Sequence, residues 1–196
     1  MYYTLYIMTL EKKPICEFGK KAEYFELNST QNKLINLTDI KGENGLLVMF
    51  ICNHCPYVVS TIDDIVKTSK ELKKQKINSI AIMSNDPLEY PEDSFENMVS
   101  FAKKYDFDFP YVMDKDQSVG KKYDAICTPD FFGFNSDLEL QYRGRIYELN
   151  NKVRPRVRIE NSKDELLEAM ISIAKTGKGP KEQIPSIGCS IKWSNK

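Results

Sequence analysis

The chain has 196 residues, of which 41% are hydrophobic and 29% charged, enough for about one domain with its own core. Its 28 basic residues balance its 28 acidic ones, so charge gives no reason to expect a nucleic acid or an anionic membrane as partner. No apolar run reaches the roughly 20 residues that a membrane-spanning helix needs.

The N-terminal stretch MYYTLYIMTLEKK has an apolar patch but neither a basic n-region nor a small-residue cleavage site. It reads as an extension over residues 1–21 rather than a secretory signal, and the protein is expected in the cytoplasm. Alternation over Ala22–Leu27, a polar stretch and then Leu34–Leu37 predict a β-hairpin. Leu46–Ile51 is a continuous apolar run after a glycine turn, as in a central strand buried on both faces. Val58, Val59, Ile62, Ile65, Val66 and Leu72 then recur at helical spacing. Pro56 suits the first helical position, where its missing N–H has no partner in any case. That puts Cys55 at the helix N-cap and Cys52 at the end of the strand.

Ile77–Met83 predicts a second buried strand and Phe95–Tyr105 a second helix. Asp86, Glu89, Glu92 and Asp93 lie between them in a proline-rich loop expected to be solvated. A short strand over Phe109–Met113, a short helix over Gln117–Tyr123 and a hairpin of Phe131–Phe134 with Leu138–Arg143 follow. Arg143, Arg145, Arg154, Arg156 and Arg158 read as a solvated hairpin or loop, and Asn150–Asn161 as a surface loop. Ser162 with Glu165 has the spacing of a capping box for a last helix through Lys175, ended by Gly177. Residues 22–178 form the expected domain. The tail, 179–196, has too many turn residues for a long element. The predicted class is α/β, a mixed central sheet flanked by helices behind an N-terminal β-hairpin extension.

The chemistry concentrates in FICNHCPYVV, residues 50–59, which holds two of the five cysteines and the only histidine. A thiol at a helix N-terminus meets unpaired N–H groups and the positive end of the helix dipole, both of which favour thiolate. Such cysteines titrate well below the ordinary ~8.5. Cys55 is therefore the candidate nucleophile. Cys52 is the candidate resolving thiol, which closes a disulfide on whatever forms at Cys55. His54 lies between them, where a loop position open to solvent is the plainer expectation.

The blocks FICNHCPYV at 50–58, SNDPLEYPEDSF at 84–95, YDAICTPDFFGFN at 123–135, ELQYRGRI at 139–146 and PSIGCSIKW at 185–193 together resemble the thioredoxin superfamily. The closer resemblance is to its peroxiredoxin-like (AhpC/TSA-type redoxin) branch. The resemblance implies a thioredoxin-like fold and a cis peptide at Thr128-Pro129 lying against the active cysteine. Thr128, Pro129, His54 and Pro56 become candidate substrate-binding residues, and Cys127 and Cys189 candidate additional redox thiols. Cys52 stands where peroxiredoxins carry a threonine. Their catalytic arginine has no clear counterpart, unless the hairpin brings Arg143 or Arg145 back toward Cys55.

The leading reading is a thiol-disulfide oxidoreductase, in which Cys52→Ser traps a mixed disulfide on Cys55. A hydroperoxide-reducing thiol peroxidase is the second reading. A metal-binding protein is the third, with zinc on Cys52, Cys55, Cys127 and Cys189 or copper near His54. The expected site holds no metal and no cofactor. Protein or small-molecule disulfides, or hydroperoxides, are the expected substrates, with thioredoxin or glutathione as reductant. The resemblance also allows a homodimer.

Overall fold

The computed structural model describes residues 10–12, 16–153 and 156–194. The apolar patch at the N-terminus before residue 10, and Arg154, lie outside the described residues. In chain order the elements begin with β1 (Leu10–Lys12), β2 (Glu26–Ser29), β3 (Leu34–Asn36), α1 (Leu37–Ile40), β4 (Gly45–Phe50) and α2 (Pro56–Lys74). Next are β5 (Ile77–Met83), a 3₁₀ turn (Pro91–Asp93), α3 (Phe95–Lys104), β6 (Tyr111–Met113) and α4 (Ser118–Lys122). The remainder are β7 (Cys127–Thr128), β8 (Asp130–Phe134), β9 (Leu140–Gly144), β10 (Leu149–Asn150), β11 (Val157–Arg158), α5 (Glu165–Thr176) and β12 (Ile187–Ser190).

Seven strands form the central sheet in the order β3-β2-β6-β5-β4-β8-β9. β4, β5 and β6 run parallel, while β8 and β9 on one side and β2 and β3 on the other are antiparallel. Strand periodicity sorts side chains onto two faces. Leu47, Met49 and Ile51 join a core with Ile62 of α2, Met98 of α3 and Met170 of α5. Leu46, Val48 and Phe50 join a second core with Leu37 of α1, Val119 of α4 and Phe132. Cys52, Cys55 and Cys189 all belong to the first core.

Two sequence expectations about the elements change. The Ser162–Glu165 capping box does not form: Asp164 is the N-cap of α5, without a side-chain cap bond. Arginines take the capping side chains instead. Arg158 Nε donates to Ser162 Oγ at 3.1 Å, and Arg145 holds Glu165 at 2.7 Å. Residues 150–161 are not all loop, because β10 pairs with β11 there. The tail contributes a four-residue strand, β12, which lies antiparallel between β1 and β7. Gly188 permits that approach, since a Cβ there would stand 2.1 Å from the Thr128 carbonyl oxygen.

Candidate functional site

Cys55 ends an extended segment (φ −64°, ψ 122°) as the N-cap of α2, and Pro56 starts the helix. Its Sγ is buried and has thiol neighbours on two sides. Cys189 Sγ lies 3.0 Å away, and the Cys55 thiol donates to the Thr128 carbonyl at 3.1 Å. Cys52 Sγ lies 3.4 Å from the Thr128 hydroxyl. The Thr128-Pro129 peptide is cis. The register pairs Cys189 with Thr128 directly across β12 and β7, which puts both side chains on the Cys55 face. Cys127 pairs with Ser190 instead, and its Sγ faces the Pro129 carbonyl at 3.5 Å. Cys127 therefore does not join the pair.

Burial alone would raise the Cys55 thiol. Hydrogen bonding from Cys189, Cys52, the Val58 N–H and Thr128 outweighs it and brings the group well below the ordinary thiol range. Cys55 makes no formal side-chain cap bond, yet the first-turn N–H of Val58 still favours its thiolate. Cys52 is pushed well up, first by burial and then by its contact with Cys55 and the charge of Asp93. Cys189 is pushed up by its hydrogen bond to Cys55 and by burial, while Lys192 and Arg156 pull it the other way.

Asp93, expected in a solvated acidic loop, is fully buried. One carboxylate oxygen accepts the Asn53 N–H at 2.8 Å, and the other accepts from Asn85 Nδ2 at 2.7 Å. His54 Nδ1 lies 2.8 Å from the same carboxylate, without the alignment of a linear hydrogen bond. The His54 ring stacks on Tyr90 at 5.4 Å and 7°. It is not an open loop histidine: the Asp93 contact raises its pKa above the ordinary 6.5, against partial burial. Asp93 thus ties the 3₁₀ turn to the CNHC loop, a contact across 40 residues that local sequence does not signal.

The arginines separate in the same way. Arg143 and Phe132 are register partners, the guanidinium lies over the Phe132 ring at 4.6 Å, and Asp130 is 4.0 Å away. That is the opposite face of the sheet from Cys55. Arg145 is held by Glu165. Neither serves as a peroxiredoxin-type arginine at Cys55. Arg156, expected in a solvated loop, is buried with its guanidinium 3.6 Å from the centre of the Tyr57 ring, two residues after Cys55.

The zinc set of four cysteines does not assemble. Among the described residues the ligand groups that converge, within 4.8 Å of one another, are Cys52, His54 and Asp93. Asp93 there already accepts the Asn53 N–H and the Asn85 side-chain amide. Pro129 lines a cleft of about 210 Å³ together with Thr61, Arg145, Tyr147, Ser186 and Ile187. Pro56 is exposed at the start of α2.

Residues 18–146 match the AhpC/TSA family. The thiol-disulfide oxidoreductase ResA of Bacillus subtilis is 27% identical over 135 residues, 69% of this chain and 71% of that protein. The crystal structure of an uncharacterised conserved protein from Geobacillus kaustophilus has a TM-score of 0.89 and 36% identity, covering 96% of this chain and 98% of that one. The thioredoxin domain of a thiol-disulfide oxidoreductase from Bacteroides vulgatus, 16% identical, has a TM-score of 0.55 over 64% of this chain and 86% of that one, which shows the thioredoxin-like fold. The chain is a member of the AhpC/TSA family, in the redoxin branch of the thioredoxin superfamily.

Proposed function

We propose that this protein is a thiol-disulfide oxidoreductase with Cys55 as the nucleophile. The observation that carries this is the setting of Cys55: a helix N-cap thiol, hydrogen-bonded to a second thiol at 3.0 Å, beside Thr128 and the cis-proline. Its thiolate attacks a disulfide sulfur and expels one thiolate, leaving a mixed disulfide. Cys52 is the resolving partner that the C-x-x-C spacing supplies. Thr128, Pro129, His54 and Pro56 line the approach, with the cleft beside Pro129 receiving one side of the substrate. The relationship to ResA supports this reading. Thioredoxin or glutathione as reductant, and a cytoplasmic location, belong to the same proposal.

Cys55 is 0% exposed, so exchange requires a local opening that uncovers its sulfur. Reduction of glutathione disulfide or of a disulfide-linked fluorescent peptide, in the presence of excess dithiothreitol, tests the assignment. Wild type turns over repeatedly, and Cys55→Ser falls to the buffer rate. Equal rates for the two proteins would sink the reading.

A thiol peroxidase is the second reading, favoured by membership of the AhpC/TSA family. Against it, Cys52 replaces the threonine and the hairpin arginines do not reach Cys55, so little is left to stabilise the departing oxygen. Thiol loss after one equivalent of hydrogen peroxide separates the two. A rate equal to that of a free thiol leaves disulfide exchange as the activity.

A further inference from the structure

Cys55 has two thiol neighbours, and their surroundings differ. Cys52 is buried against Thr128 and lies under the charge of Asp93. Cys189 lies on a strand that Gly188 allows to press against β7, with its Sγ 3.0 Å from Cys55 Sγ and with Lys192 and Arg156 as its cationic neighbours. Closing that gap to the 2.03–2.05 Å of a disulfide takes about 1 Å of sulfur movement.

We propose that Cys189 is a resolving thiol for Cys55, so that exchange ends in a Cys55–Cys189 disulfide that ties the C-terminal strand to the start of α2. This rests on the reading of Cys55 as the nucleophile. Once Cys55 has lost the proton it directs at the Thr128 carbonyl, the Cys189 S–H becomes the donor to the Cys55 thiolate, which keeps Cys189 protonated until attack. Once Cys55 is joined to a substrate sulfur its negative charge is gone, and Lys192 and Arg156 then favour the Cys189 thiolate. The Asp93 charge beside Cys52 is unaffected by that step and continues to oppose a thiolate there.

The step balances as follows. The Cys55 thiolate attacks R–S–S–R′, giving Cys55–S–S–R and R′S⁻, which takes up a proton as R′SH. Cys189 loses its proton and attacks Cys55 Sγ. The Cys55–S–S–R bond breaks, a Cys55–S–S–Cys189 bond forms, and RS⁻ leaves and takes up the proton. Two electrons pass from the two protein thiols to the substrate disulfide. An external dithiol returns them and frees the tail.

The experiment uses the full-length reduced protein. Wild type, Cys52→Ser and the double variant Cys52→Ser/Cys189→Ser are each mixed with one equivalent of glutathione disulfide, acid-quenched over time, alkylated and mapped by mass spectrometry without reduction. The expected result is a Cys55–Cys189 link in wild type at early times and as the end product in Cys52→Ser. Only the double variant holds glutathione on Cys55. Wild type that forms Cys52–Cys55 alone, or a single variant that retains glutathione with Cys189 alkylated, would overturn the proposal. Because wild type is mapped directly, a misfolded variant does not remove the test. Failure of the underlying reading looks different: Cys55 then takes up no glutathione in any of the proteins.

Discussion

Cys55 stands between two thiols that reach it by different routes. Cys52 arrives through the local turn between β4 and α2, and its surroundings are acidic: Asp93 sits beneath it and holds the CNHC loop by the Asn53 N–H and His54. Cys189 arrives from 134 residues away on a tail strand, and its charged neighbours are Lys192 and Arg156. Both thiols are raised overall, but the Asp93 charge adds to the cost of a thiolate on Cys52, whereas Lys192 and Arg156 offset part of that cost on Cys189. Closeness in sequence identifies a redox pair, whereas the charge around each sulfur decides which member is ready to attack.

The largest blow to this contrast is Asp93→Asn. The carboxylate accepts two hydrogen bonds within the protein and faces His54, and an amide nitrogen in its place sets a donor against donors. Leaving buried groups unsatisfied costs roughly 1–3 kcal/mol. In a chain of this size that lowers the melting temperature by about 2–4 °C per kcal/mol. The Cys52 thiol falls toward its ordinary range as the opposing charge disappears. Alkylation of Cys52 in unfolding-free buffer is then faster than in wild type, and an unchanged rate would remove the acidic side of the comparison.

Arg156→Gln tests the other side with a smaller expected effect. The guanidinium lies over Tyr57 and supports the Cys189 thiolate. A buried cation–π contact is worth about 1–2 kcal/mol, and the loss of one charge slows closure of the Cys55–Cys189 bond about two- to fivefold. Stopped-flow thiol loss in the Cys52→Ser background measures it. A loss of stability without slower closure would make Arg156 a packing residue alone.

The difference between the two sides also explains what could be read in the sequence. The strand, the helix start and Cys55 at the N-cap were legible because one contiguous segment, FICNHCPYVV, encodes a buried run, a proline at N1 and an amphipathic stripe. The roles of Asp93 and Arg156 were not, because each acquires its role through contacts between distant segments, and Cys189 was named as a candidate redox thiol only through the family resemblance, without its place beside Cys55. Asp93 looked like one more acid in a proline-rich loop until the 3₁₀ turn buried it, and Arg156 like one of five loop arginines until it stacked on Tyr57. The tail did carry a signal: Ile187, Cys189 and Ile191 alternate with Gly188 and Ser190, the period of a strand. The capping box failed for a related reason, since Arg158 and Arg145 offer its two side chains charged partners stronger than a backbone N–H.

Gln117 sharpens the comparison at the tail itself. Its side chain donates to the Lys192 carbonyl at 2.8 Å and accepts the Ser194 N–H at 2.8 Å, fastening the segment after β12. Gln117→Ala leaves the cysteines and their charges in place but loosens the cover. Alkylation of Cys55 in the reduced protein is expected to rise about two- to tenfold, since each lost bond is worth about 1 kcal/mol. No change would mean that access to Cys55 opens elsewhere than at the tail.

The smallest effect is the pH dependence of His54. Its folded pKa is raised above 6.5 by Asp93, and by the negative charge of Cys55 and Glu92, while Lys192 lies over the neighbouring Tyr90 ring. A base whose folded pKa is raised binds its proton more tightly in the native state, so the pair stabilises the fold fully below about pH 6.5. That contribution is lost as pH rises through the higher folded value, when the imidazole becomes neutral. For a half-buried pair partly screened by solvent it amounts to about 1 kcal/mol. His54→Gln also removes the stacking on Tyr90, a loss that does not vary with pH. The difference in urea stability between wild type and His54→Gln should therefore be larger near about pH 5.5 than near about pH 9. A difference that stays constant across that range would leave stacking alone as the role of the ring and would reduce Asp93 to a clamp on the CNHC backbone.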